Sequence, residues 1–146
     1  MTSTELIQIV AGFVGTIGFA VLFNIRGKRF VFAGLGGLLS WILFILLNRV
    51  ISNEPVCYFF VAVMISAYAE LMARLLKTPT TTFITTSLVP LIPGGSLYYT
   101  MSYAFESNLE RFLEKGVYTL ELASALALGI IIATTATRIL TKLKVK

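Results

Sequence analysis

Histidine and aspartate are absent from this 146-residue chain, and Cys57 is its only cysteine. Those absences exclude a Ser-His-Asp or Cys-His nucleophilic system, a zinc site of His and Cys ligands, and any disulfide within the chain. Charge is scarce as well: 13% of residues are charged, where an average soluble domain carries roughly a quarter. In its place stand 57% hydrophobic residues, the composition of an integral membrane protein. This inventory gives no basis for an enzyme and none for a cofactor or metal. The net charge of +5 does not indicate nucleic acid, because the basic residues fall in short clusters between apolar spans and read as topology signals. Met1 to Gln8 contains no Lys or Arg, so the start does not read as a secretory signal peptide.

The stretch that ordinary membrane filler does not explain is Lys77 to Met101. It is apolar enough to enter a bilayer, yet it holds Pro79, Pro90, Pro93 and the pair Gly94-Gly95. Hydroxyls run from Thr80 to Thr82 and resume at Thr85, Thr86 and Ser87. Each proline removes a backbone donor and clashes with the preceding turn, and the glycines forfeit helix propensity. Freed backbone groups in hydrocarbon must find partners, so a break at that depth belongs inside protein or beside a water-filled cavity. Pro90 to Ser96 is therefore the candidate substrate site, with a plain proline kink as the structural alternative.

The rest of the chain reads as support for that stretch: an all-α, single-domain membrane protein over residues 1–146. Five transmembrane helices are expected at about 5–23, 30–48, 56–73, 83–101 and 118–137, each close to the ~20 residues a bilayer requires. The fourth is broken at the Pro/Gly motif. Gly12, Gly15 and Gly18 in the first span, and Gly34, Gly36 and Gly37 in the second, suggest faces for close helix contact. Trp41 is expected to fill the groove beside the second set. Residues 103–116 alternate Phe105, Leu109, Phe112 and Leu113 with Glu106, Glu110 and Glu114, the pattern of an amphipathic helix outside the membrane.

Glu70 and Arg74 are four residues apart near the end of the third span, where they can pair on one face. An ionisable group in a span is a functional candidate, so Glu70 is read either as a proton-coupling carboxylate or as half of a structural pair. Threading five spans in alternation puts nine of the twelve basic residues on one side, namely Arg26, Lys28, Arg29, Arg74, Lys77, Arg138, Lys142, Lys144 and Lys146. By the positive-inside rule the N-terminus is then outside and the C-terminus cytoplasmic.

Glu70-Leu-Met-Ala-Arg74 with Lys77-Thr-Pro79, followed by Val89-Pro-Leu-Ile-Pro93-Gly-Gly and Tyr98-Tyr-Thr-Met101, resembles the C-terminal half of the threonine/serine exporter family. That half also exists as a separate small subunit of two-component exporters. The similarity extends over nearly the whole chain, and the Pro-Leu-Ile-Pro-Gly-Gly block is its most specific part. The resemblance implies secondary export of a small polar metabolite across the cell (plasma or inner) membrane, threonine or serine in some members and a dicarboxylate such as succinate in split systems. It also implies a larger partner subunit. Five small spans are too few to enclose a pathway, so that subunit or a homo-oligomer is expected. Thr80 to Thr82 and Thr86-Ser87 depart from the family pattern by being richer in hydroxyls, which bears on the substrate rather than the fold.

On this reading Thr82, Thr85, Pro90, Pro93, Gly94, Gly95, Ser96 and Tyr99 form the substrate-binding set, with N–H groups near Ser96 facing a carboxylate. Glu70, Arg74 and Lys77 form a coupling or gating set. A scaffold subunit that stabilises a partner transporter, or a passive channel component, are the competing readings.

Overall fold

The computed structural model describes residues 3–144, with side chains through residue 140. Lys146 and the side chains of Lys142 and Lys144, which entered the charge count, lie outside the described residues. The chain forms α1 (Ser3–Leu22), α2 (Lys28–Val50), α3 (Glu54–Leu75), α4 (Thr80–Ser87), α5 (Gly94–Phe105) and α6 (Leu109–Lys144), with one 3-10 turn, Val89–Leu91, between α4 and α5. Among the described residues α1, α2, α3 and α6 are long and apolar enough to cross a membrane. The protein is an all-α membrane protein.

The segment expected as the fourth crossing, residues 83–101, is divided between α4 and α5. These two helices hold 8 and 12 residues, about 12 and 18 Å at 1.5 Å per residue, and neither alone spans a hydrocarbon core of ~30 Å.

The amphipathic segment expected as an external helix over 103–116 is not a separate element. Tyr103 to Phe105 end α5, residues 106–108 turn, and Leu109 begins a helix that continues without interruption into the last span. Glu106 caps α5 while Glu110 and Glu114 lie on α6, so the glutamate stripe is split between two helices. Gly116 does not stop α6. A mid-helix glycine costs only about 1 kcal/mol, and a Cβ placed there would lie 3.6 Å from Thr100 Cγ2 of α5, so α5 packs close at that point.

Three helices end in the same way. Asn24, Lys77 and Ser107 adopt left-handed backbone with φ of 54°, 48° and 55°. The next residue bonds back to the final turn: Ile25 N–H to Ala20 O at 3.0 Å, Thr78 N–H to Ala73 O at 2.9 Å and Asn108 N–H to Tyr103 O at 3.0 Å. These are Schellman closures of α1, α3 and α5, a position usually given to glycine. Lysine in that conformation carries a Cβ penalty of order 1 kcal/mol. Lys77→Gly is therefore expected to raise thermal stability in detergent, and Lys77→Ala is not; equal melting temperatures for the two variants would contradict this account.

α2 is the central element, packed against α1, α3 and α4, while α3 also packs on α6. Small residues set the approach. Gly37 leaves no room for a Cβ beside Thr16 of α1, and Gly36 none beside Ser87 of α4. The other glycine run behaves differently from its spacing: Gly12 meets Pro90, but a Cβ at Gly15 or Gly18 would meet nothing within 4 Å. A three-residue step on a helix of 3.6 residues per turn rotates by about 60° each time. The three glycines therefore fan out instead of lining one face.

The core lies where α2, α3, the 3-10 turn and α6 converge, with Phe44, Tyr58, Val61, Ile65, Leu88, Leu91 and Leu122 in contact. Trp41 stacks on Phe44 with centroids 5.2 Å apart, and Phe44 meets Tyr58 edge-on at 5.2 Å. A second cluster of Ala20, Ile25, Ala33, Ala69, Ala73 and Phe83 closes the end where α1 turns into α2.

Candidate functional site at the broken crossing

The break solves its own backbone problem with short-range bonds. Leu88 N–H donates to Ile84 O at 3.1 Å, Leu91 to Leu88 O at 2.9 Å, Ile92 to Val89 O at 3.2 Å and Gly94 to Ile92 O at 2.6 Å. Pro90 and Pro93 stand where there is no N–H to satisfy. The prolines are thus placed so that the chain can leave helical geometry with few orphaned donors.

Its depth follows from its neighbours. A Cβ built on Gly12 would lie 3.4 Å from Pro90 Cβ and 3.8 Å from Trp41 Cβ. Gly12 and Trp41 stand near the middles of α1 and α2, so Pro90 is about halfway along the membrane-length helices. Three buried polar atoms, Trp41 Nε1, Ser66 Oγ and Ser87 Oγ, have no protein hydrogen-bond partner. Ser66 is near the middle of α3, and Ser87 ends α4 just before the break.

α5 then climbs toward the end where α1 begins. Ser96 Oγ meets Thr119 Oγ1 of α6 at 2.7 Å, Thr100 Oγ1 lies 3.2 Å from the same oxygen, and Thr119 Oγ1 donates to Lys115 O at 2.7 Å. Thr119 has one hydrogen and directs it at Lys115, so Ser96 is the donor in its pair. Beside Thr119, the Tyr118 hydroxyl donates to Glu54 in the first turn of α3. The start of α5 is consequently near the level of the start of α3, and the first turns of α6 extend past it. Ser96 is thereby tied to α6 as a joint. Thr119→Val removes the acceptor and is expected to lower stability by about 1 kcal/mol and to speed amide exchange in α5; unchanged exchange there would refute the joint.

Gly94 and Gly95 open α5 with no side-chain cap, and a Cβ on either would meet nothing within 4 Å. They permit no close approach within this chain; their free side is open. Tyr99 is exposed beside Tyr98, ring centroids 5.5 Å apart and nearly perpendicular.

The remaining predicted residues lie toward the other end. Thr82 and Thr85 line a cavity of about 220 Å³ together with Thr81, Phe23 and Ile25. Glu70 and Arg74 form an ion pair at 3.2 Å, and Arg74 also donates to Thr137 O of α6 at 3.3 Å. This bond fastens α3 to α6. Lys77 is exposed in the turn that follows. The structure thus divides the predicted set into a break (Pro90, Pro93, Gly94, Gly95, Ser96, with Tyr99 on the outer face of α5), a hydroxyl cavity (Thr82, Thr85) and a helix-end cluster (Glu70, Arg74, Lys77).

Sequence reasoning missed Thr100 and Thr119, although the Ser96/Thr100 spacing of four was a signal for a shared helix face. It also missed Phe23 and Ile25 as cavity walls, for which an apolar loop flank gives no signal.

No curated protein and no solved structure was found to match the chain. A profile of the family described as Threonine/Serine exporter, ThrE, matches residues 8–136, a range that runs from within the first turns of α1 through most of α6 and takes in every residue of the break. With that coverage, the chain belongs to the threonine/serine exporter family.

Proposed function

We propose that this chain is the small subunit of a secondary transporter that exports a small polar metabolite together with a larger membrane subunit. The cargo class is threonine or serine, or a dicarboxylate such as succinate. The observation that carries the reading is the interrupted crossing, whose break lies halfway along α1 and α2 and opens onto exposed Gly94 and Gly95. A polar solute in a bilayer needs polar groups at depth. At that depth stand the unpartnered hydroxyls of Ser66 and Ser87, and nearer the level of the start of α3 the uncapped start of α5 offers N–H groups that favour a carboxylate. Thr82 and Thr85 form a hydroxyl-lined vestibule below, large enough for a small metabolite.

In this reading the N-terminus is outside and the C-terminus cytoplasmic. Lys77 stands at the cytoplasmic mouth, where its charge attracts an anionic cargo. The Glu70–Arg74 pair is tethered to α6, which favours a gating role for it over free proton carriage.

Efflux of threonine, serine and succinate from loaded cells lacking their own exporters tests this directly. Export of one cargo, dependent on the proton gradient and on both chains, is the expected result. Export that runs only down the concentration gradient would establish a channel component instead. Dependence on the larger chain alone would leave this one a scaffold.

A further inference from the structure

The last helix carries a seam that nothing among the described residues covers. Leu113, Val117, Leu120, Ser124, Ala127 and Ile131 recur at steps of four, three, four, three and four, and all six are exposed. That is a 3.5-residue period, the repeat by which one helix packs continuously along another. Small residues at Ser124 and Ala127 allow a close approach at its centre. Beside the seam, Asn53, Val56 and Phe59 of α3 wall an open groove of about 700 Å³ shared with Val117, Leu120, Glu121, Ser124 and Leu128.

Charge decides what fits there. Glu114 and Glu121 flank the seam at equivalent positions seven residues apart, and neither has a hydrogen bond or ion pair among the described residues. Glu54, Glu114 and Glu121 converge on one adjoining pocket, with Lys115 the one base lining it among the described residues. Two copies paired in parallel along this seam would set carboxylates at the edges of both helices with no cation facing them. Lipid tails would leave Glu121 without a counter-charge.

We propose that the Leu113–Ile131 seam of α6 is the docking face for a membrane helix of the larger subunit, and that this helix carries Lys or Arg facing Glu121. The inference rests on the two-subunit reading above and adds the face, the register and the charge of the partner. It also separates assembly from transport, because the seam is built from α6 while the break is built from α4 and α5.

The test is co-purification of this chain with the larger exporter subunit after co-expression. The variants are Ser124→Leu with Ala127→Leu, Glu121→Lys and, as a control on an exposed face of α1, Val10→Ala with Val14→Ala. Recovery of the partner is expected to fall at least about tenfold for the first two, as steric and like-charge blocks do at a specific interface, and to be unchanged for the control. Glu121→Gln is expected to fall between. Both seam variants alter exposed positions beside the groove that α3 walls, so their abundance alone in the membrane checks that they fold. Undiminished recovery with both would overturn the seam while leaving the two-subunit reading intact. Failure of the unaltered chains to co-purify would overturn both. Cross-linking of two copies of a Ser124→Cys variant in preference to the partner would overturn the seam in favour of a homo-oligomer.

Discussion

Gly129→Val is expected to abolish accumulation of the folded chain. A Cβ on Gly129 would lie 2.7 Å from Ala62 Cβ and 2.7 Å from the carbonyl oxygen of Phe59, with Val63 N at 3.2 Å. Two of those three atoms are backbone, so no side-chain rotation relieves the overlap. The helices must separate instead. α3 packs against α6 more extensively than against any other element, and the core between them includes Tyr58, Val61, Ile65 and Leu122. Overpacking a tight core contact costs typically 1–3 kcal/mol, and a β-branched residue against backbone belongs at the upper end. Spreading the pair would also strain the bond from Arg74 to Thr137 O. The measurement is the monodisperse fraction by size-exclusion chromatography in detergent, with Gly15→Val as the comparison because a Cβ there meets nothing within 4 Å. Equal recovery of the two variants would show that α3 and α6 are not in the described contact.

Gly94→Val and Gly95→Val are expected to do the opposite: the chain folds and inserts, and export stops. Nothing lies within 4 Å of a Cβ at either position, and neither glycine has a positive φ. Valine costs no clash within the chain, and at the first turn of α5 its helix propensity matters little. What it does is cover the open backbone beside the N–H groups of the helix start, where on the proposed function a carboxylate or a partner's backbone comes close. The readout is efflux per copy of inserted protein, so that abundance and transport are separated. Full export from both variants would remove the break from the substrate path and hand the role to the hydroxyl cavity or to the partner.

How much of this was legible in advance depends on which forces decide each element. The apolar spans and the Pro90–Gly95 interruption follow from composition and from the chemistry of proline, both local, and both are found. The length of α6 is not local. Gly116 and the charges around it read as an end, yet packing of Thr100 and Ser96 against that stretch carries the helix through. Gly12, Gly15 and Gly18 read as one face, but rotation along the helix leaves only Gly12 in contact. Lys77 gave no sign of its left-handed backbone, because the closing bond from Thr78 to Ala73 decides it. Residue types that serve the candidate site were visible; which of them come together was not, since that is set by contacts between helices far apart in sequence.

The pairing of α5 with α6, and with little else, orders the events of synthesis. α1 and α2 can associate as soon as both have left the ribosome, α3 finds α2 waiting, and α4 seats in the notch between them. α5 follows with its exposed Leu97, Tyr98, Tyr99 and Met101 and has no surface to join until the final helix is made. The same final helix supplies the partner for α3. The last quarter of the chain to be translated is therefore the clasp of the whole assembly, and a ribosome that stops before Thr119 releases a bundle whose break has been threaded but not fastened.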